Sequence, residues 1–371
     1  MIFYFLLFLL IIDYSFFLLW CCLKWLRIKN TSEEPLTKPA IQVAVIIPVR
    51  NESMKLSQMI KALSNQDYQK EYFEILVVDD HSEDDTIQLA EDFFRENNLT
   101  NASCFSNQGY SKKSAISYGI SQSNAELILT TDADVIPQKQ WISSIVHHFK
   151  TSGSVFIAGP VKLKGSKNIF EIIQCAEFSG LIGIGAASIR SRSPIMCNGA
   201  NLAFTRKVFD EVGGYDESKS ISGDDTQLML KVHQKYPKRI SFLKDKRAIV
   251  QTNVSSGADF LNQRKRWASK IITTLSPLAI WIAFVSWLVH LTLLIVFIRS
   301  IILGNYLMLL LLSIIKIIPE IIFLKMIGNF FKEKYPMLLV ILIQPIYWFY
   351  ISLIGLISPF GKYKWKGRVG K

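Results

Sequence analysis

The chain has 371 residues, half of them hydrophobic, and it carries 42 Lys and Arg against 30 Asp and Glu. This length favours two domains, or one domain with a membrane part, and excludes a short disulfide-stabilised scaffold. A net charge of +12 with so much apolar sequence excludes one uniform soluble domain, because the apolar and basic residues must be segregated. Five cysteines without a Cys-x-x-Cys pair indicate reduced thiols facing a cytoplasm.

The chain begins with an apolar segment long enough to cross a membrane. Residues 2–23 contain one charged residue, Asp13, and at about 1.5 Å per residue they span a hydrocarbon core of about 30 Å. A cleaved signal peptide is disfavoured, because no basic residue precedes the run and no small-residue cleavage site follows it. Three basic residues come next: Lys24, Arg27 and Lys29. Because positive charge marks the cytoplasmic side, we predict a transmembrane helix over 1–26 with its N-terminus outside.

A polar linker, residues 27–40, leads into a globular domain that we assign to residues 41–253. Within it, short β-branched runs alternate with helical patterns; the runs are 43–47, 75–78 and 127–129, and the helical patterns include 57–63 and 86–94. This alternation predicts an α/β domain with a Rossmann-like, mostly parallel sheet. Ligands of such sheets bind outside the carboxyl ends of the strands.

Acidic residues follow two of these runs directly. Asp132 and Asp134 come after the third run, and two carboxylates one residue apart can share a divalent metal, because Mg²⁺ and Mn²⁺ prefer oxygen ligands. Asp79 and Asp80 come after the second run. Either pair alone is also compatible with a turn or a helix cap.

A third acidic site precedes a later helical pattern. Asp224 and Asp225 follow Gly223, and a carboxylate here can take a proton from an attacking hydroxyl as general base, or can cap the helix. Residues 254–276 are predicted as an amphipathic interfacial helix with a basic polar face. On that helix Arg266 can reach a diphosphate with its planar guanidinium, and lying on a membrane surface is compatible with that role.

Residues 277–360 are predicted as C-terminal membrane helices, with candidate spans near 278–298, 301–324 and 337–357. The tail, 361–371, carries five basic residues. Four crossings from an outside N-terminus would leave this tail outside, against the charge rule, so we expect one segment not to cross. Segment 303–331 is the leading candidate because Lys, Pro and Glu residues interrupt it, although a re-entrant segment elsewhere would serve equally.

In their order along the chain, these motifs resemble those of the membrane-attached family-2 glycosyltransferases, which have the GT-A fold. The resemblance runs from about Val43 to Trp267. It rests on six short motifs, Ile47–Glu52, Val77–Ser82, Thr131–Asp134, Asn198–Asn201 with Gly213–Asp216, Gly223–Asp225 and Gln263–Trp267. Each motif is weak alone, whereas six in one order are specific.

The resemblance implies a role for each matching residue. The donor would be bound by Pro48, Glu52, Asp79, Asp80, Lys113, Asp132, Gln263 and Arg266. Asp134, with Asp132, would hold the metal, Mg²⁺ or Mn²⁺. Asp225 would be the catalytic base, and Asp224 stands beside it where the family more often has Glu. Trp267 and Gly199 would lie on the acceptor side.

The resemblance implies a membrane-bound, metal-dependent, inverting hexosyltransferase that moves a sugar from a nucleotide-sugar, expected to be UDP-linked, to a lipid-borne acceptor. We expect its catalytic domain on the cytoplasmic face of a bacterial inner membrane. The alternative is a processive polysaccharide synthase of the chitin, hyaluronan or poly-N-acetylglucosamine type, although three C-terminal segments are few for a channel. A remote alternative is an inactive nucleotide-sugar-binding membrane module, which the intact acids disfavour.

The expected partners are the nucleotide-sugar donor, a lipid or glycan acceptor, and membrane lipids. Nucleic acid is disfavoured, because the basic residues lie at the membrane edges without interleaved aromatic residues. The sequence leaves the oligomeric state open.

Overall fold

The computed structural model describes residues 2–30, 40–165, 168–215, 224–273, 276–358, 363–365 and 368–370. The chain forms two compact units. The sheet unit comprises residues 28–164 and 188–253, and the helical unit comprises residues 1–27, 165–187 and 254–371. Sequence analysis assigned 41–253 to one domain, whereas here residues 165–187 group with the membrane-type helices.

The strands of the sheet unit are β1 Val43–Val49, β2 Phe73–Asp79, β3 Ala102–Ser106, β4 Leu127–Thr130, β5 Ile136–Pro137, β6 Phe156–Ala158, β7 Val161–Lys164, β8 Leu202–Thr205, β9 Ile240–Phe242 and β10 Val250–Asn253. Two further short strands near the C-terminus, β11 Tyr363–Trp365 and β12 Arg368–Gly370, pair with each other.

The helices are α1 Ile2–Leu26, α2 Ser53–Ser64, α3 Thr86–Glu96, α4 Lys112–Ser121, α5 Trp141–Ser152, α6 Ile169–Arg190, α7 Arg206–Glu211, α8 Asp224–Lys235, α9 Gly257–Thr273, α10 Pro277–Leu303, α11 Leu307–Phe331, α12 Met337–Leu342 and α13 Gln344–Ile357. One-turn 3₁₀ helices cover Lys70–Tyr72 and Lys246–Ala248.

A seven-stranded sheet with the order β3-β2-β1-β4-β8-β6-β9 forms the centre of the sheet unit. All pairs are parallel except those that β8 makes with β4 and β6, so the predicted α/β, mostly parallel sheet is confirmed. Every residue of β1 is buried, because the sheet is covered on both faces and the strand needs no polar alternation. A second sheet, with the order β5-β10-β7, lies in the same unit.

The register of the central strands determines where the site lies. Val49 at the end of β1 is paired with Asp79 at the end of β2, and Ile46 of β1 is paired with Thr130 at the end of β4. The residues that follow these strands therefore meet at one edge of the sheet, as the sequence predicted. This carboxyl edge carries the candidate active site.

Among the residues that the structure describes, four helices are long and apolar enough to cross a membrane: α1 from Phe5, α6, α10 and α11. In the helical unit, α1 runs parallel to α11, since Tyr14 bonds to Glu320 and Trp25 packs on Phe330 further along both helices. Helix α10 runs antiparallel to α11, because three residues connect them and both contribute to one apolar cluster with α1.

A polar cluster lies inside this apolar bundle. The Lys316 ammonium, fully buried, is 2.9 Å from Glu320 Oε1 and donates to Gln344 Oε1 at 2.6 Å. Tyr14 of α1 donates to Glu320 at 2.7 Å, and Trp348 of α13 donates to Gln344 at 3.0 Å. Two of the charges that made 303–331 the expected non-crossing segment, Lys316 and Glu320, are thus paired inside the unit rather than exposed.

The segment predicted as a third C-terminal span, 337–357, is instead broken into α12 and α13. Before it, Tyr335 lies against Gly328 near the C-terminal end of α11. In its middle, Gln344 reaches Lys316, and afterwards the Ser352 carbonyl accepts a bond from Trp287 Nε1, in the N-terminal half of α10. Since α10 and α11 are antiparallel, the segment begins beside the C-terminal end of α11 and its second half runs back toward the same end of the helical unit.

Helix α6 is a fourth long apolar helix, which the sequence analysis did not identify. Strand β6 precedes it and β8 follows it, and these two strands pair in the central sheet. Within the helical unit α6 packs through Gly183 on Phe323 and Ile327 of α11. A Cβ at Gly183 would meet both side chains at 2.8 Å, so glycine allows the two helices to approach closely.

Candidate active site

The turn after β1 is held to the turn after β2 by two residues in the left-handed region. Asn51 has φ 53° and His81 has φ 63°. The Asn51 N–H donates to Ser82 Oγ at 3.0 Å, and its side chain accepts from the Glu83 N–H at 2.8 Å. Such strained backbone persists where surrounding contacts fix it, here at the mouth of the site.

Glu52, a predicted donor ligand, lies at this edge and is 8% exposed. Its N–H donates to the Thr86 hydroxyl, and that hydroxyl in turn donates to Asp84. Burial opposes the ionisation of Asp84, but bonds from Thr86 and Ser53 outweigh this effect and lower its pKa. Pro48, another predicted ligand, is buried within β1.

Asp79 and Asp80 end up in different environments. Asp79 accepts a bond from the Ser82 N–H at about 3.1 Å and so shapes the turn. Asp80, 4% exposed, accepts from Asn107 Nδ2 at 3.0 Å, and its Oδ1 is 3.6 Å from His81 Nδ1. The His81 ring stacks on Tyr110 with centroids 4.3 Å apart. Sequence reasoning missed Asn107, although its place one residue after β3 puts it at the carboxyl edge.

Asp132 and Asp134 follow β4 with buried Ala133 between them. Thr252 Oγ1 donates to Asp134 Oδ2 at 3.3 Å, and Lys112 Nζ lies 2.5 Å from Asp132 Oδ1. Lys113, the predicted diphosphate ligand, is 4% exposed within α4. The structure therefore places the neighbouring Lys112, which the sequence analysis did not select, directly on the acid pair.

The acid pair fits a divalent metal by the chemistry of its donors. Asp132 and Asp134 supply carboxylate oxygens at one strand end, and Thr252 orients one of the two carboxylates. Within the part of the chain that the structure describes, no group of three His, Cys, Asp or Glu could hold a metal. Such a two-carboxylate site suits Mg²⁺ or Mn²⁺, which complete their shells with waters and substrate phosphates.

Asp225, the predicted base, lies against the Asn198–Asn201 loop. A Cβ added to Gly199 would overlap the Asp225 carboxylate. The Cys197 N–H donates to Thr226 at 3.4 Å, and Thr131 Oγ1 donates to the Ala200 carbonyl at 2.9 Å. This loop therefore connects the start of α8 to the residue before Asp132. Asp224 begins α8, and its side chain lies outside the described part of the chain.

Asn201 anchors the other end of this loop. Fully buried, it accepts from Trp141 Nε1 at 2.9 Å and donates to the carbonyls of Pro160 and Ala248 at 2.9 Å each. All of its side-chain groups are thus in bonds to three different segments of the sheet unit. Its part in the Asn198–Asn201 motif is structural, because it fixes the loop that carries Gly199.

The Gln263–Trp267 motif lies on α9 in the helical unit, and its second residue, Arg264, is the best-buried member at 3% exposure. Arg264 is 2.6 Å from Glu177 Oε2, donates to the Tyr350 hydroxyl at 3.0 Å, and also donates to Gln263 Oε1. The Trp267 ring packs between the Arg264 guanidinium, 4.2 Å from its centroid, and Phe178. The roles of Gln263, Arg266 and Trp267 toward donor and acceptor stay predictions.

Residues 44–213 match the family described as Glycosyl transferase family 2. The probable glycosyltransferase YdaM of Bacillus subtilis (strain 168) is 28% identical over 205 residues, 52% of this chain and 46% of that protein. The dolichyl N-acetyl-alpha-D-glucosaminyl phosphate 3-beta-D-2,3-diacetamido-2,3-dideoxy-beta-D-glucuronosyltransferase of Methanococcus voltae is 24% identical over 146 residues, 37% of this chain and 46% of that protein. The chain thus spans less than half the length of these curated relatives.

A solved structure gives the fold independently. The mannosyltransferase PcManGT from Pyrobaculum calidifontis, in complex with GDP-Man and Mn²⁺, superposes with a TM-score of 0.59 at 17% identity, covering 94% of this chain and 99% of that one. The fold of the sheet unit is therefore GT-A-like. With the family match and the acids at the carboxyl edge, residues 44–213 are a glycosyltransferase domain of family 2.

Proposed function

We propose that the protein transfers a sugar from a nucleotide-sugar donor to a lipid-borne acceptor, with inversion at the anomeric carbon. The observation that carries this proposal is the Asn198–Asn201 loop, which joins the Asp132–Asp134 pair to Asp225 through Thr131 and Gly199. A candidate site for the leaving diphosphate and a candidate base are thereby held by one short loop. In-line displacement needs this arrangement.

On the donor side, the Asp80–Asn107 pair offers hydrogen-bonding groups for a nucleoside, and the exposed His81–Tyr110 stack offers an aromatic face beside it. Asp132 and Asp134 hold a metal in this proposal, and a bound metal would neutralise charge on the leaving diphosphate. Lys112 adds a positive charge beside the same acids.

On the acceptor side, Asp225 takes the proton from the attacking hydroxyl. Attack from the face opposite the leaving diphosphate inverts the configuration of the transferred sugar. Gly199 leaves the space in which the Asp225 carboxylate lies and offers bare backbone beside it. Asp224 is the other candidate acid at this position.

A lipid acceptor is supported by two observations. The chain has helices long and apolar enough to cross a membrane, and the relative from Methanococcus voltae is named for a dolichyl phosphate substrate. A processive polysaccharide synthase is the alternative. It is disfavoured because four helices among the described residues are long and apolar enough to cross a membrane, which are few to line a channel.

We infer the membrane topology from the same helices. With α1, α10 and α11 crossing, the sheet unit and the basic tail share one side and the N-terminus lies on the other. The three basic residues at the C-terminal end of α1 and just after it, and the five in the tail, then all face the cytoplasm, as the charge rule requires. We propose a bacterial inner membrane with a cytoplasmic catalytic domain.

The proposed function is tested with purified protein in detergent, incubated with UDP- and GDP-sugars and with Mn²⁺ or Mg²⁺. Nucleotide release is followed with and without polyprenyl phosphate. A lipid carrying a single sugar supports the proposal, and a long polymer supports the synthase. If no donor releases its nucleotide although bound nucleotide is detected, the result supports the inactive nucleotide-sugar-binding module.

A further inference from the structure

Lys112, which belongs to none of the sequence motifs, lies beside the acid Asp132. It is the first residue of α4, a helix whose N-cap, Ser111, accepts a bond from the Ser114 N–H at 3.0 Å. Asn107 holds the same turn, since its side chain accepts from Ser114 Oγ at 3.0 Å. The backbone of Lys112 is therefore fixed next to the donor-side residues, and its ammonium lies 2.5 Å from Asp132 Oδ1.

This ion pair is in contact with solvent rather than locked in a core. The Lys112 side chain is 24% exposed and that of Asp132 is 34% exposed. A partly exposed pair of this kind contributes little to folding and can exchange partners at low cost. Its position is therefore better explained by the charge chemistry of the site than by stability.

A lysine at this place acts in opposite directions on the two charged ligands of the site. Its ammonium repels a divalent cation bound at Asp132 and Asp134 and competes with it for one carboxylate. The same ammonium attracts the diphosphate of a donor. Lys112 therefore disfavours the metal alone and favours the nucleotide.

The small number of protein ligands for the metal also indicates that metal binding depends on the nucleotide. Among the described residues no third His, Cys, Asp or Glu joins the Asp132–Asp134 pair. Mg²⁺ and Mn²⁺ take about six oxygen ligands, so the protein supplies a minority, and a diphosphate is needed for tight binding. A site with two protein carboxylates and a competing lysine binds its metal tightly only after the lysine ammonium pairs with another anion.

We propose that Lys112 makes metal binding conditional on the donor. Its ammonium pairs with Asp132 until a nucleoside diphosphate binds, and it then pairs with the phosphates instead. This role rests on the proposed function. In thermodynamic terms Lys112 raises the positive coupling between metal and nucleotide, and by linkage each ligand strengthens the other equally. In this proposal Lys112 binds the diphosphate directly and exchanges no atom with the substrate.

The test measures binding rather than turnover. The Kd of Mn²⁺ alone, and that of UDP or GDP with and without Mn²⁺, are measured for the wild type, Lys112→Gln, Lys112→Arg and the exposed-surface control Lys61→Gln. In Lys112→Gln we expect Mn²⁺ alone to bind about two- to fivefold tighter, because its competitor is gone. We expect the nucleotide to bind about tenfold weaker in Mn²⁺, because a charged partner is lost.

These opposite shifts distinguish the role from damage to the fold, which would weaken both ligands together. Lys112→Arg, which keeps the charge, and Lys61→Gln should retain the wild-type coupling. Unchanged coupling in Lys112→Gln, or weaker binding of both ligands, overturns the role of Lys112 while leaving the proposed function intact. A wild type that binds neither nucleotide in the presence of Mn²⁺ overturns the proposed function itself and this inference with it.

Discussion

Gly199 and Asp225 occupy one space: the carboxylate of Asp225 lies where a side chain at residue 199 would begin. Glycine is required here for steric reasons, because Gly199 is not among the described residues with a positive φ. The same loop is tied to Thr131, directly before Asp132, through the Ala200 carbonyl. A side chain at residue 199 therefore acts first on the carboxylate of Asp225, the proposed base.

The first prediction is that Gly199→Ala removes most of the transfer activity. The new methyl group must displace the Asp225 carboxylate, and a shift of about 1 Å in a catalytic group costs on the order of 10²-fold in rate. Initial transfer rates measure the loss. Gly257→Ala is the matched control, since a Cβ there meets nothing within 4 Å. Equal rates for the two variants would show that Asp225 is not the base.

The second prediction concerns Asp225 itself. Asp225→Asn should keep the Kd of the nucleotide-sugar within a few-fold and lower kcat by on the order of 10² or more, because a general base acts after binding. Donor titration and single-turnover rates separate the two effects. If the donor Kd rises in step with the loss of rate, Asp225 binds the donor instead. Asp224→Asn, tested in the same way, assigns the second acid.

The acid positions were predictable because each follows a strand whose burial is evident from its composition. Asp79, Asp132 and Asp134 are at the carboxyl edge for that reason. Lys112 and Asn107 were not predictable, since neither belongs to a spaced pattern and their contacts depend on how β3 and α4 pack in three dimensions. The sequence analysis selected Lys113, which is the more buried of the two lysines, and its role toward the diphosphate stays a prediction.

Hydropathy also identified most apolar helices but could not give their direction. Segment 337–357 is as apolar as a span, yet Gln344 binds Lys316 in the middle of α11 and the chain then turns back. Lys316 and Glu320 made 303–331 the expected non-crossing segment, because the sequence could not show their partners Gln344 and Tyr14, which lie 28 and 306 positions away. Such distant contacts leave no periodic signal.

The third prediction is metal dependence with unequal roles for the two carboxylates. Asp134→Asn should abolish transfer and metal binding while the melting temperature stays near that of the wild type, because a two-carboxylate site loses half of its protein charge. Asp132→Asn should be milder. Thr252→Val, which removes only the bond that orients Asp134, should weaken Mn²⁺ binding without abolishing it. Full turnover in excess EDTA would contradict metal dependence.

The fourth prediction separates acceptor binding from packing at Trp267. Trp267→Ala should reduce transfer to the lipid more than it reduces hydrolysis of the donor, if the ring shapes the acceptor side. The ring also packs on Phe178 and Arg264, so Trp267→Phe serves as the control that keeps an aromatic contact. Both activities are assayed in one preparation. Equal losses of transfer and hydrolysis in Trp267→Ala would assign the residue to packing alone.

The last prediction concerns the side on which the tail lies. Helix α11 can cross a membrane despite its charges, because Lys316 and Glu320 pair inside the bundle with Tyr14 and Gln344. In the proposed topology α10 also crosses and α12–α13 is re-entrant, so the C-terminal part of the chain makes an even number of crossings. The five basic residues of the tail then lie where anionic lipids add about 1 kcal/mol for each nearby positive charge.

Single cysteines decide this topology when placed in a background without the five native ones and probed on intact cells with a membrane-impermeant thiol reagent. Gly370→Cys should label only after the cells are permeabilised, because the tail faces the cytoplasm. Asn305→Cys, in the exposed turn between α10 and α11, should label before lysis because that turn lies on the opposite side. Labelling at both positions on intact cells would mean that 337–357 crosses the membrane after all, and that the Gln344–Lys316 contact occurs within a complete span.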